Sequence, residues 1–509
     1  MKKIAPSMIL AILVLGALLQ ALRMTWSVFE HRELDYGEGI VIWQALQVFD
    51  LKSAFHPLQQ YPHIVFHYTP LYHIAVRALA SLLGDPFLSG RILSLLAAFW
   101  IVGLLAWTVL RATRGYASAG VRWAGAVFAC ACALIVPSMQ WVPFARVDML
   151  GLAFQFTGLS LITVKPFRLR NQTACFFLML LGLYTKQSLL VIPAASVLLI
   201  GLIRPIRAIW LACALAATGL SILLIMAWAT DGGVLKHWIA YNINPLHVMN
   251  ALAEELMFSK NLAALIMAGF GAFWLTFPGA HRKKGRNWRA AVSARLMGSP
   301  LRRTGLGFGL VAVLGFVNSC GLSKEGSSMN YCLDWQLAVC PLTGVFVVLL
   351  SRSWNWQDRG MSILRPLLLL LAGTTGVQLA VQAALDCNNA IGLTASARIK
   401  RQETRREDNE LIRLISSLPG PVVSENMTAL LRAGKSIPFE PAIIKVTTET
   451  GVFDESALVK RTSDKFFDAF ILTTDMHSSR FSPRMLQAIY ENYRPYAFSG
   501  SDYLVYVRR

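Results

Sequence analysis

From Ile4 to about Leu385 the chain is a succession of apolar windows near 20 residues long, separated by short loops in which Lys and Arg collect. A bilayer core of about 30 Å asks for about 20 apolar residues per crossing helix. Inside that core every backbone N–H and C=O must find its partner within the protein, which leaves helices or closed barrels. Windows of this length exclude short barrel strands, so the pattern predicts a polytopic α-helical membrane protein. The composition agrees: 55% of the 509 residues are hydrophobic and 15% are charged.

The formal charge of +20 would suit a phosphate polymer if it formed one face. It does not. The basic residues fall in alternate loops, the arrangement that marks the cytoplasmic side of a membrane protein. The stretch from His281 to Arg303 carries eight Lys or Arg and no acid. No nucleic-acid partner is expected. Membrane lipids are.

Windows and loop charges together predict about eleven spans, with the N-terminus in the cytoplasm and the first span uncleaved. A long outer loop from about Met24 to Gly90 follows span one. Arg111, Arg114 and Arg122 fall inside, the turn WVPFARVDM outside, and Lys165, Arg168 and Arg170 inside. The apolar stretch Ala174–Ile203 breaks at YTKQ into two spans, and GLSKEGSSMNYCLDW lies outside. From about Asp386 helical and strand-like segments alternate, predicting a small extracytoplasmic α/β domain over 386–509 beside a transmembrane domain over 1–385. Most cysteines sit in apolar runs, where a thiol behaves as a small hydrophobe, and no metal spacing links them.

The charge at the mouth of the first span needs an explanation. HRELDYGEG sets Glu33, Asp35 and Glu38 within six residues, beside Tyr36 and two glycines. One reading is a capping box, with Asp35 as N-cap and Glu38 three residues on. The other is a base or cation-orienting carboxylate whose affinity for protons is raised by partial burial. Arg146 and Asp148 stand where span four enters the membrane, either as interface anchors or as partners of the first loop. Lys186 in YTKQ is a lone outer lysine, a snorkelling side chain or a donor to phosphate. QQYPHIVFHYTPLYHI offers His67 and Tyr68. His63 and His67 have metal-pair spacing, but Pro62 argues against the helix that pair would need.

LDYGEG after span one, HYTPLYH before span two, GRILSLLAAF, FARVDML, YTKQ and SSMNYCLD, in that order and sidedness, resemble the GT-C glycosyltransferases. More narrowly they resemble bacterial members of glycosyltransferase family 39, related to protein O-mannosyltransferases and the lipid A aminoarabinose transferase. The resemblance implies a GT-C fold in a bacterial inner membrane and a polyprenyl-phosphate-linked sugar donor. It also implies an extracytoplasmic site and inversion at the anomeric carbon, with a lipid, envelope glycan or protein as acceptor. It assigns catalysis to Asp35, Glu38 and Asp148, with Asp35 the favoured base. It matches Lys186 to a lysine at the lipid phosphate and Asn330 and Tyr331 to a polar turn facing the cavity; the residues themselves add Glu33, Tyr36, His67, Tyr68, Arg146 and Gln187 as candidate substrate contacts. Adjacent acids are frequent in the family's first loop, whereas Tyr36 and Gly37 separate Asp35 from Glu38 here. Some members use a divalent metal and others none, so the resemblance specifies no cofactor. A transporter or flippase of lipid-linked sugars is the alternative, although no inverted repeat or midplane-broken helix supports it.

Overall fold

The computed structural model describes residues 4–242, 244, 245, 253, 257, 259, 262–277, 288–324, 326–352, 359–474, 480–498 and 502–509. Part of the basic loop from His281 lies outside the described residues.

Helices occupy the apolar windows: α1 (Ile4–Ser27), α5 (Pro86–Ala112), α6 (Ala119–Ile135), α7 (Asp148–Val164), α8 (Leu169–Thr185), α9 (Val191–Ile203), α10 (Pro205–Ala229), α12 (Ala263–Thr276), α14 (Pro300–Asn318), α15 (Leu333–Arg352) and α16 (Arg359–Ile391). Among the described residues five segments are long and apolar enough to cross a membrane: Ser7–Ser27, Pro86–Ala112, Pro205–Ala229, Pro300–Ser323 and Met329–Ser351, the last two including short 3-10 turns beside α14 and α15. Along α10 the large side chains Ile209, Trp210, Leu224, Ile225 and Trp228 are all exposed. Such a surface is stable in lipid and costly in water. The protein is a multi-pass membrane protein.

Local chemistry sets the helix ends. Asp85 caps α5 through Oδ1, which accepts from the N–H groups of Phe87 and Leu88 at 2.8 and 3.1 Å, with Pro86 in the first turn. Arg303 is 1% exposed and donates to the carbonyls of Ile162, Thr163 and Lys165 where α7 ends. A cation there complements the negative end of the helix dipole.

The first loop folds over the helix ends as the short helices α2 (Glu38–Gln47), α3 (Leu51–Ala54) and α4 (Leu71–Leu83). No capping box forms at α2: Gly37 is its N-cap and no side chain caps it. Instead Glu38, fully buried, accepts from Arg91 Nε and Nη2 at 2.9 and 2.7 Å and from the N–H groups of Leu34 and Ala145 at 2.8 Å each. Arg91 also donates to the carbonyls of Glu30 and Arg32. One ion pair therefore joins the first loop, α5 and the turn before α7.

After the one-turn α11 (Gly233–Leu235) and α13 (Trp288–Gly298), the C-terminal segment begins with the amphipathic α17 (Ala395–Ser417). A four-stranded sheet follows in the order β1-β2-β4-β3, with β1 (Val422–Ser424) parallel to β2 (Ala469–Thr473). β4 (Tyr503–Arg508) is antiparallel to both β2 and β3 (Tyr493–Tyr496). Around the sheet pack α18 (Met427–Arg432), α19 (Pro441–Glu449), α20 (Ser456–Ser463) and α21 (Pro483–Asn492). Sequence reasoning assigns no element to α19, whose β-branched run IIKVTT reads equally as strand; Pro441 in the first turn favours the helix.

One hydrophobic core joins this segment to the first loop, with Ile40, Val41 and Trp43 of α2 packed among Met427, Leu430, Ile437 and Ile471. Gly39 permits the contact, because a Cβ there would stand 2.6 Å from the Met427 carbonyl carbon. The buried ion pair sets a stability expectation. Arg91→Met leaves Glu38 buried without its cation, costing about 3–5 kcal/mol. The thermal midpoint of the purified protein should fall accordingly, and Arg91→Met with Glu38→Leu should recover part of the loss.

Candidate functional site

Where α2, the loop before α4, the turn before α7 and the α8–α9 junction meet the C-terminal segment, they enclose a cavity of about 680 Å³. Of the residues singled out from sequence, Asp35, Tyr36, His67, Tyr68 and Arg146 line it. Lys186, Gln187, Asn330 and Tyr331 line it as well. Glu33, Glu38 and Asp148 do not.

Asp35 and Arg146 form the centre, with Arg146 Nη1 3.3 Å from Asp35 Oδ2. The same oxygen accepts from the Gly37 N–H at 3.1 Å. Burial raises the Asp35 pKa above the usual carboxylate value, and the Arg146 guanidinium opposes that rise. Arg146 rests over the Trp141 ring, 5.2 Å from its centroid. Gly37 makes room for it: a Cβ at that position would lie 1.4 Å from Nη1.

Asp148 lies just beneath the cavity, 1% exposed and in the first turn of α7. It accepts from Lys186 Nζ at 2.5 Å, Trp141 Nε1 at 2.9 Å and Asn330 Nδ2 at 3.1 Å. Three cavity-lining side chains from separate segments thus converge on one carboxylate. Lys186 ends α8 as its C-cap and lies 6.0 and 5.6 Å from the centroids of the Tyr68 and Tyr331 rings. Lys324, also in the lining, is pushed to lower pKa by burial and by the nearby Lys186 ammonium.

Glu33 faces away from the cavity and accepts from the Thr428 N–H of α18 at 3.0 Å. Burial of His67 drives its pKa down to about 3, so the imidazole is neutral. His63 is bound to the Leu58 carbonyl through Nδ1 at 2.9 Å and pairs with Phe439, which accounts for it structurally.

Sequence reasoning missed the wall supplied by the C-terminal segment, which includes Glu440 and Arg480. The Arg480 guanidinium lies 4.2 Å from the Tyr36 ring centroid and 3.3 Å from Glu425. Tyr36 Oη accepts from the Ala442 N–H at 3.3 Å. The available signal was an acid directly before the proline that opens α19, in SIPFEPA. Nothing local marks Arg480.

Among the described residues no group of three or more His, Cys, Asp or Glu is placed to hold a metal ion. Asp35 and Asp148 are each engaged by a side-chain cation.

No family model matches the chain, and no curated protein matches it by sequence. Solved structures do match. ArnT from Cupriavidus metallidurans bound to undecaprenyl phosphate aligns with a TM-score of 0.56 at 15% identity, over 96% of each chain. Its apo state gives 0.56 at 14% identity, over the same 96% of each. The apo oligosaccharyltransferase of Archaeoglobus fulgidus gives 0.51 at 11% identity, over 98% of this chain and 74% of that one. The chain shares the fold of these proteins. At such identities the likeness concerns the fold, and the GT-C resemblance read from the sequence motifs is borne out at that level.

Gly37→Ala tests the centre of this site. The added methyl must displace Arg146 from Asp35 and from Trp141. A change in tryptophan emission is expected that disappears in a Trp141→Phe background. Unchanged emission would show that Arg146 does not rest where the geometry places it.

Proposed function

We propose that the protein transfers a single sugar from a polyprenyl-phosphate donor to an extracytoplasmic acceptor, with inversion at the anomeric carbon. The observation that carries this reading is one cavity in a GT-C fold where the Asp35 carboxylate, paired with Arg146, shares the lining with Lys186 and Lys324. ArnT, which shares the fold, was crystallised with undecaprenyl phosphate, and that lipid's phosphate is the anion these cations suit. The Lys- and Arg-rich loops lie on the cytoplasmic side under the positive-inside rule, which puts the cavity and the α/β domain of 386–509 outside.

The chemistry requires a hydroxyl oxygen of the acceptor to form a bond to the anomeric carbon while the bond from that carbon to the phosphate oxygen breaks. The hydroxyl proton passes to Asp35. The electron pair leaves with the polyprenyl phosphate, whose charge Arg146 and Lys186 stabilise. Phosphate leaves readily, so the paired acid of glycoside hydrolases is unnecessary. Asp148 orients Lys186 and Asn330 from beneath the cavity. Glu38 acts one step further out, through the backbone N–H groups of Leu34 and Ala145, which precede Asp35 and Arg146, and is a positioning residue.

Asp35→Asn keeps the shape and removes the base. It is expected to lower transfer from an undecaprenyl-phosphate-linked sugar in membranes by about 10²–10⁴-fold while undecaprenyl phosphate still binds. In the wild type, the acid limb of the rate profile should lie above the ordinary carboxylate range, because only ionised Asp35 accepts the proton and burial raises its pKa. Wild-type transfer by the Asn variant, or flipping of the lipid-linked sugar with its phosphate bond intact, would overturn the proposal.

A further inference from the structure

The wall of the cavity supplied by the C-terminal segment carries a carboxyl that neither the fold nor the proposed proton transfer uses. Glu440 occupies the N-cap position of α19, yet its side chain makes no capping bond. Only its backbone carbonyl serves the helix, accepting from the Ile444 N–H at 3.0 Å. The side chain is 6% exposed, lines the cavity, and its Oε2 has no hydrogen-bond partner among the described residues. A buried carboxyl oxygen without a partner costs about 1–3 kcal/mol or more, which a ligand in the cavity would relieve.

Its position is set from the membrane side. The His63 N–H donates to the Pro438 carbonyl at 2.8 Å, and His63 pairs with Phe439, the residue before Glu440. Phe439 is itself 1% exposed, which fixes the backbone there. The first loop therefore places a carboxyl belonging to the distant C-terminal segment.

A complementary orphan shares the cavity. His67 is 8% exposed and its Nε2 has no partner among the described residues. Gln44 Nε2 lies 3.5 Å from His67 Nδ1. With Nδ1 accepting there, Nε2 carries the proton and donates. Gln187 Oε1 and Asn330 Oδ1, both in the lining, are likewise unpartnered acceptors among the described residues. The cations serve an anion. These mixed donors and acceptors suit groups that both give and accept hydrogen bonds, which is the property of hydroxyls.

We infer that Glu440, with His67, binds the hydroxyls of a sugar ring, so that the C-terminal segment contributes directly to substrate recognition. This rests on the transferase reading. Burial raises Glu440 to about 7, against the pull of Arg146 and Arg480, which face it from the turn before α7 and the loop before α21. Near neutral pH the carboxyl is therefore present in both forms, one accepting and one also donating to a hydroxyl. Two sources carry that chemistry, the sugar of the lipid-linked donor and a carbohydrate acceptor.

The test uses the full chain in phosphatidylethanolamine and phosphatidylglycerol nanodiscs, with Trp141 and Trp238 of the lining as fluorescent reporters. Three probes are titrated: undecaprenyl phosphate, undecaprenyl phosphate mannose and a panel of methyl glycosides. Glu440→Gln, nearly isosteric, should bind undecaprenyl phosphate within about threefold of the wild type and melt at the same temperature. A tenfold or greater weakening confined to the lipid-linked mannose assigns Glu440 to the donor sugar. The same weakening confined to the methyl glycosides assigns it to the acceptor. Equal binding of every probe by variant and wild type, failure of the wild type to bind any sugar-bearing probe, or an equal loss of all three probes overturns the inference. Failure of the wild type to bind undecaprenyl phosphate would instead count against the transferase reading itself.

Discussion

The site depends on an ion pair that never touches the cavity. Burying a carboxylate and a guanidinium is favourable only when the geometry is good and the remaining hydrogen-bonding sites are filled. Glu38 meets that condition with four donor contacts, two from Arg91 and one each from the N–H groups of Leu34 and Ala145. Those two backbone groups adjoin Asp35 and Arg146 in sequence. A single carboxylate thus fixes both ends of the Asp35–Arg146 pair, and the centre of the cavity takes its geometry from a bond network one residue away on each side. Catalytic groups must be held to a fraction of an ångström, and an anchor in the protein interior, away from solvent screening, provides that.

What the sequence revealed and what it hid follow the range of the forces involved. Apolar windows and basic loops are local properties, and helices stand where the windows predict them, including the break between Thr185 and Val191 at YTKQ. Asp35, Arg146 and Lys186 were legible for the same reason, as charges at span ends that the bilayer makes expensive. The position of Glu38 was not, because its burial depends on Arg91, 53 residues away. As a local motif it looked like half of a capping box. The C-terminal wall was more distant still: Tyr36 meets Ala442 across 406 positions, and no periodicity encodes such a contact. Gly37 and Gly39 were visible as letters only, since each is explained by the neighbour that occupies its missing Cβ.

The acids of HRELDYGEG divide their work by direction. Glu33 reaches the C-terminal segment through Thr428, Glu38 reaches the membrane helices through Arg91, and Asp35 faces the cavity between them. Alternate fates for neighbouring carboxylates arise because the loop is irregular between α1 and α2, so successive side chains are not confined to one face. The outer two fix the loop to both bodies of the protein, which leaves the middle one partly exposed and still rigid. Three like charges in six residues would repel one another in a flexible loop. Here two of them are neutralised or bonded elsewhere, and the third keeps its carboxylate beside Arg146.

The balance of charge around the cavity bears on how a lipid phosphate would enter and leave. Arg146, Lys186, Lys324, Lys445 and Arg480 line it against the carboxylates Asp35 and Glu440. In a partly dry site this excess attracts an anion more strongly than the same groups would in water. Asp148 limits that attraction, because it holds Lys186 from beneath at 2.5 Å and shares its charge. A lysine without that partner would bind phosphate more tightly before the reaction and after it alike. Tighter binding of product and substrate together does not raise the rate of the bond-breaking step. Under the proposed reaction, the buried carboxylate below the cavity therefore has two effects: it orients the lysine, and it keeps the departing lipid phosphate from being held too firmly.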